Sequence, residues 1–244
     1  QAIDDLASRG QRVCVRVNGL DTGLTGDDLE AIACANLESV MLPKVESVDD
    51  IRTVDILLSH FEHKVGAPDR TVKIVASLET APGLRAAYEI LGSSPRVGTC
   101  VGSAGKGGDA NRSLGYVWSQ EGTETVYLRQ KLVMDAKAAG VRFPMIASWF
   151  DIGNLEAMEV DSRRNRAYGF SGQVVIHPSH VEIVNRVFTP DKAEIDYYRG
   201  LIDAMREAEA AGAAAVTYQG MMVDYAMVKM AEDMIAFADS IGIG

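Results

Sequence analysis

The residues best suited to chemistry in this sequence stand at the ends of apolar runs. KIVASL, beginning at Lys73, is short, rich in small and β-branched residues, and closed by Glu79, Thr80 and a Pro82-Gly83 turn. That is the pattern of a buried strand whose last residue leaves the core. The next apolar run, Val97 to Val101, leads through glycines to Asp109. Two carboxylates at the ends of neighbouring strands can share one hard cation. Mg²⁺ suits them, because it accepts one or two carboxylates and fills its remaining positions with water and substrate oxygens. Arg16 and Asn18 close an earlier run, Lys44 another, and His177 a later one. An Arg, a Lys and two carboxylates on one rim make a site for an anionic substrate held on a metal.

Each residue also has a local explanation. Glu79 can favour the positive end of the helix that follows it, and Asp109 can serve as a turn former in its Gly-rich loop. GSAGKGG lacks the Ser or Thr that follows the lysine of a nucleotide P-loop, which excludes that motif and leaves only local phosphate contact by backbone amides. His177, between apolar residues and Pro178, reads as a hydrogen-bonded structural histidine. Asp224 directly precedes a periodic Met-rich run and reads as a helix N-cap.

The elements that must position these residues alternate along the chain. Strands are expected at 12–17, 39–43, 72–78, 97–101, 144–148 and 173–176, and helices at 28–35, 48–62, 83–91, 123–139 and 155–168. Strands alternating with helices in this way imply a parallel sheet of βα units, and in a barrel every such strand delivers its C-terminal end to one face. The expected organisation is an α/β barrel domain over residues 1–190 and a helical extension over 191–244. In the extension, a long helix begins at Pro190-Asp191 and a short AVTYQG run leads to a last helix, in which Met227, Met230, Met234, Phe237 and Ile241 recur at helical spacing. The 244 residues, 47% hydrophobic, suffice for a full core, and a net charge of -10 argues against nucleic-acid or anionic-membrane partners. Cys14, Cys34 and Cys100 show no CxxC spacing. They read as reduced core thiols, which points to the cytoplasm.

Taken in order, VCVRVNG, MLPKVES, SLETAPGL, GGDANRSLG and GFSGQVVIHPSHVEIVNRVFTP closely resemble the HpcH/HpaI aldolase and citrate lyase β-subunit family. The continuation TYQGMMVDYAMVKMAEDMIAFA resembles the malyl-CoA, β-methylmalyl-CoA and citramalyl-CoA lyase branch. The resemblance implies a (β/α)8 TIM barrel and a Mg²⁺-dependent carbon–carbon lyase. Its substrate would be a 3-hydroxy-dicarboxylic acyl-CoA, released as an acyl-CoA and a 2-oxo acid such as glyoxylate or pyruvate, and its assembly a homotrimer or homohexamer. Residue by residue, Glu79 and Asp109 match the family's metal ligands, and Arg16 matches the arginine facing the substrate carbonyl. Asp224 matches an aspartate that supplies a catalytic acid to the neighbouring subunit's barrel.

The sequence departs from the family pattern in two places. It starts near what would be the third strand, so the first two strands of the barrel are expected to be missing and the sheet to be open at its first and sixth strands. MIASWF replaces a small-residue strand ending in Asp-Gly-Pro, so Trp149 and Phe150 are expected to narrow the pocket. Two other readings are an aldolase acting on free 4-hydroxy-2-oxo acids, which shares the metal site, and a degenerate, non-catalytic barrel subunit.

Overall fold

Six strands lie side by side in chain order, all parallel: β1 (Cys14–Arg16), β2 (Ser39–Leu42), β3 (Lys73–Leu78), β4 (Val97–Gly102), β5 (Met145–Ile146) and β6 (Gly172–Gln173). The computed structural model describes residues 1–243, and the chain divides into two compact units, Gln1–Val184 and Asn185–Gly244. In the first unit the helices are α1 (Ala2–Ser8), α2 (Thr25–Ile32), α3 (Val48–Lys64), α4 (Ala81–Arg85), α5 (Ala87–Leu91), α6 (Asp109–Leu114), α7 (Val126–Ala138) and α8 (Leu155–Ala167), with α9 (Pro178–Phe188) running across the boundary. The architecture is α/β of the TIM-barrel type. Among the described residues β1 and β6 each pair on one side only, so the expected open edges are present.

Burial explains why β3 and β4 form the centre of this sheet. Ile74, Val75, Ala76 and Leu78 are all buried, as are Cys100 and Val101 beside them, the near-continuous apolar run that a strand covered on both faces requires. β5 and β6 are only two residues long, shorter than their apolar runs suggested. Pro144 has no N–H to donate to a ladder. Beyond the strands, parallel pairing continues as isolated bonds from Ala147 N to Gly102 O (2.8 Å) and from Val174 N to Ile146 O (2.9 Å). The helix expected over 83–91 is two short ones, broken at Ala86, whose ψ of 21° leaves the helical range. The core-thiol expectation holds only for Cys100; Cys14 is exposed and Cys34 half-buried, and all three are free. Burial pushes the Cys100 thiol up to about 12, so it stays protonated and unreactive.

The second unit is a helix–hairpin–helix. α10 (Lys192–Ala210) is capped by Asp191, and α11 (Tyr225–Ser240) follows a two-stranded antiparallel hairpin of β7 (Val216–Tyr218) and β8 (Met221–Val223). Within AVTYQG, Gln219 and Gly220 take φ values of 46° and 81°. A two-residue hairpin turn with both central residues left-handed matches the twist of its strands. Leu201, Val223 and Ala231 form the buried centre, with Met227 packed on it. The methionine stripe is not uniformly core, because Met230 is 49% exposed. No helix among the described residues is long and apolar enough to cross a membrane.

The N-terminal ends of β3 and β4 carry a charged cluster that sequence reading passed over. Arg96, fully buried, donates to Asp55 (2.8 Å), to both oxygens of Glu62 (2.9 Å each), to Ser59 (2.9 Å) and to the Val72 carbonyl (2.8 Å). Glu62 also accepts from the Arg70 and Val72 amides. Removing one partner strands the others in a low dielectric. Arg96→Met is therefore expected to lower unfolding stability by about 3–5 kcal/mol in urea titration; a loss below about 1 kcal/mol would show that the cluster is not holding the lower face.

Candidate active site

Parallel register places the C-terminal ends of β1 to β4 on one rim. Arg16 stands opposite Met41, Met41 opposite Val75, and Ser77 opposite Val101. Just beyond these ends lie Lys44 after β2, Glu79 after β3 and, through the loop 103–108, Asp109 at the first turn of α6. Arg16, Glu79 and Asp109 line a single cavity of about 370 Å³, together with Ser77, Ser103 and Arg112. The structure thus brings together three of the four residues that the family resemblance assigns to the site, Asp224 being the fourth.

Lys44 ties the two carboxylates in place. Its backbone N–H donates to Glu79 Oε1 (3.0 Å), and its ammonium lies 3.6 Å from Asp109 Oδ1. The price is a φ of 50° at a residue with a Cβ, a conformation costing about 1–3 kcal/mol. Directly behind it the chain crosses α4. A Cβ on Gly83 would come within 2.1 Å of the Val45 carbonyl oxygen, so only glycine allows α4 this close to the Lys44 segment. Thr80 caps α4 through the Gly83 amide (3.4 Å), which fixes the chain leaving Glu79.

Arg112, one turn along α6, bonds the same Asp109 Oδ1. The other oxygen of Asp109 and Oε2 of Glu79 make no hydrogen bond among the described residues. Two half-buried carboxylates with one open oxygen each fit an octahedral cation that keeps waters and substrate oxygens as its remaining ligands. No group of three or more His, Cys, Asp or Glu side chains suited to a metal occurs among the described residues, so a closed, all-protein metal cage has no basis here.

The remaining sequence candidates take other positions. Asn18 does not face the cavity but locks the loop after β1, donating from its amide and side chain to Asp28 (2.7 and 2.8 Å). The Gly107 amide donates to Asn111 (3.2 Å), which occupies it locally instead of leaving it for a phosphate. His177 accepts from the Ser179 amide at the start of α9, the structural role expected of it. Asp224 belongs to the second unit and caps α11, accepting from the Ala226 (3.0 Å) and Met227 (3.3 Å) amides. Sequence reading missed Arg112, for which the Asp-x-x-Arg spacing on one helix face was the available signal. It also missed His180, fully buried three residues after His177. Burial, then the neighbouring His177, pushes its pKa below the usual histidine value; the Ile152 backbone opposes this only weakly, without a hydrogen bond of ordinary geometry to either ring nitrogen.

A parallel sheet of the TIM-barrel type with acidic and basic residues gathered on its C-terminal rim is the arrangement in which enzymes of this fold keep their chemistry, and the chain's relatives are carbon–carbon lyases. The chain belongs to the HpcH/HpaI aldolase/citrate lyase family, whose profile matches residues 1–178. Human mitochondrial citramalyl-CoA lyase is 32% identical over 99% of this chain and 72% of its own. L-malyl-CoA/β-methylmalyl-CoA lyase of Cereibacter sphaeroides is 30% identical over 99% of this chain and 80% of its own. Among solved structures, protein CitE from Mycobacterium tuberculosis in complex with magnesium, acetoacetate and coenzyme A is 28% identical, with a TM-score of 0.68 over 93% of this chain and 78% of that one.

The two roles of Lys44 can be separated by substitution. Lys44→Gly keeps the N–H that holds Glu79, relieves the left-handed strain and deletes the ammonium. It should be no less stable than the parent protein while losing at least about tenfold in turnover. Equal turnover would remove the Lys44–Asp109 pair from the account.

Proposed function

We propose that this enzyme is a Mg²⁺-dependent lyase that cleaves, or forms, a 3-hydroxy-dicarboxylic acyl-CoA such as malyl-CoA, β-methylmalyl-CoA or citramalyl-CoA, giving an acyl-CoA and a 2-oxo acid such as glyoxylate or pyruvate. The observation that carries the reading is the convergence of Arg16, Glu79 and Asp109 on one cavity. Glu79 and Asp109 would hold the cation, which when bound supplies Lewis-acid polarisation of the 2-oxo acid oxygens. The names of the similar lyases and the magnesium and coenzyme A of the CitE complex support the same substrate class and metal.

The chain's own residues divide the remaining work. In the cleavage direction the hydroxyl gives its proton to solvent, its oxygen forms the carbonyl of the 2-oxo acid as the carbon–carbon bond breaks, and the electron pair of that bond passes to the thioester α-carbon as an enolate. Arg16 is permanently protonated and presents several donors in a fixed fork, which suits it to hold the thioester oxygen as that charge develops. The enolate then needs a proton at carbon. Glu79 and Asp109 are committed to the cation, so we assign that proton to Asp224, delivered by a neighbouring subunit of a homotrimer or homohexamer. In the structure the Asp224 side chain caps α11; on this reading the same carboxyl group does both.

An assay of the purified protein with Mg²⁺ on malyl-CoA, citramalyl-CoA and free 4-hydroxy-2-oxo acids should release an acyl-CoA from the thioesters. Turnover of the free acids alone would favour an aldolase instead. Glu79→Gln and Asp109→Asn should each abolish turnover and weaken Mg²⁺ binding in calorimetry without unfolding the protein. Arg16→Lys should lose on the order of a hundredfold in turnover while binding Mg²⁺ normally.

The assignment of Asp224 has its own test. Asp224→Asn should lose most activity yet still bind Mg²⁺ and acyl-CoA. Mixing it with Arg16→Lys under conditions of subunit exchange should restore part of the activity, because some interfaces then combine an intact Arg16 with an intact Asp224. Failure to complement, despite demonstrated exchange, would reduce Asp224 to a cap or place it in its own subunit's site.

A further inference from the structure

Beside the carboxylate cavity lies a second one, of about 400 Å³. The two share Ala147, Ser148 and Phe150, so this short stretch after β5 is the wall between them. On its far side the second cavity is walled by Trp118 and Trp149, the chain's two tryptophans. Their rings meet edge to face with centroids 5.9 Å apart. Trp149 is buried and its indole N–H already donates to the Asp151 carbonyl (2.9 Å), so the ring offers a ligand only apolar surface.

The cations lining this cavity are already engaged. Lys106 Nζ lies 5.5 Å from the centre of the Trp118 ring, a cation–π distance. Arg129, buried, donates to Thr125 (3.0 Å), Asp161 (2.7 Å) and Asn165 (2.6 Å). With Arg129 paired and Lys106 resting on the ring face, the wall formed by Trp118 and Trp149 favours an apolar group, although Gln120, Asp151 and Asn154 also line the cavity.

Phe150 is the one large side chain common to both cavities. It is 51% exposed, so its ring is not needed to fill the core. It lies against the loop that leads to Asp109: a Cβ on Gly105 would come within 3.2 Å of its ring, and one on Gly108 within 3.7 Å. The glycines of that loop therefore leave room for this ring beside the carboxylate site.

We propose that Phe150 is a partition that sets which 2-oxo acids the enzyme accepts, and that the aromatic cavity behind it is a subsite for an apolar, branched substituent on that acid. The inference rests on the lyase reading above and deepens it. With Phe150 in place the carboxylate cavity takes a 2-oxo acid with little or no side chain; without it the two cavities join, and a branched chain can extend onto Trp118 and Trp149.

The test uses the full chain with Mg²⁺, and compares pyruvate with 4-methyl-2-oxopentanoate in the parent, Phe150→Ala and Phe150→Leu proteins. Affinities are measured by calorimetry, and tryptophan emission reports occupancy of the second cavity, since both tryptophans line it. In Phe150→Ala the affinity for the branched acid relative to pyruvate should rise roughly tenfold or more, the order expected from burying a few additional methylenes, and its binding should change the tryptophan emission. Phe150→Leu should fall between Phe150→Ala and the parent. An unchanged affinity ratio in both variants, with pyruvate still bound by the parent, would overturn the inference alone. Failure of the parent to bind either glyoxylate or pyruvate with Mg²⁺ would overturn the lyase reading and this inference with it.

Discussion

Lys44 is held in a left-handed conformation, with φ at 50°, and the rim of the sheet depends on that choice. The turn aims its backbone N–H at Glu79 and its ammonium at Asp109, so one residue after β2 sets the relation between groups following β3 and β4. A right-handed Lys44 would send the amide elsewhere and leave Glu79 without the donor that orients it, while Asp109 would keep only Arg112. The absent side chain at Gly83 permits the close crossing at Val45. Local strain at a site is sustained only when its surroundings over-determine it, and here strand register, the α4 crossing and two carboxylate contacts do so together.

Charge is distributed to opposite ends of the same strands for opposite purposes. At the N-terminal ends, Arg96 and Glu62 are buried and engaged with each other in a bidentate pair, an arrangement that leaves neither side chain open to a ligand. At the C-terminal ends, Glu79 and Asp109 are half-buried and each keeps one oxygen without a hydrogen-bond partner among the described residues. This division is what a parallel α/β fold makes available, since only the C-terminal ends carry the loops that can be varied for chemistry.

Most of the fold was readable because the central strands are dense apolar runs with clear terminators. The rim positions of Glu79 and Asp109 were readable for the same reason, Glu79 directly after such a run and Asp109 after the Gly-rich loop that follows one. The failures also have physical causes. β5 and β6 are shorter than their apolar runs because hydrophobicity registers burial and says nothing of how far a ladder continues. The Arg96 cluster was missed because its partners lie 24 to 41 residues away in the chain, with no local spacing to mark them. The helix cap at Asp224 was legible from its position before a periodic run. A role in another subunit's chemistry leaves no such local signature and rests on resemblance.

The claim on which the rest depends is that Glu79 and Asp109 bind one cation between them. Anomalous diffraction from crystals grown with Mn²⁺, a Mg²⁺ substitute that scatters anomalously, tests it most directly. The account predicts a single strong peak on the rim, within coordination distance of one oxygen from each carboxylate, with Lys44 and Arg112 outside the coordination shell. A peak elsewhere in the molecule, or well-ordered Glu79 and Asp109 side chains with no peak between them, would contradict it.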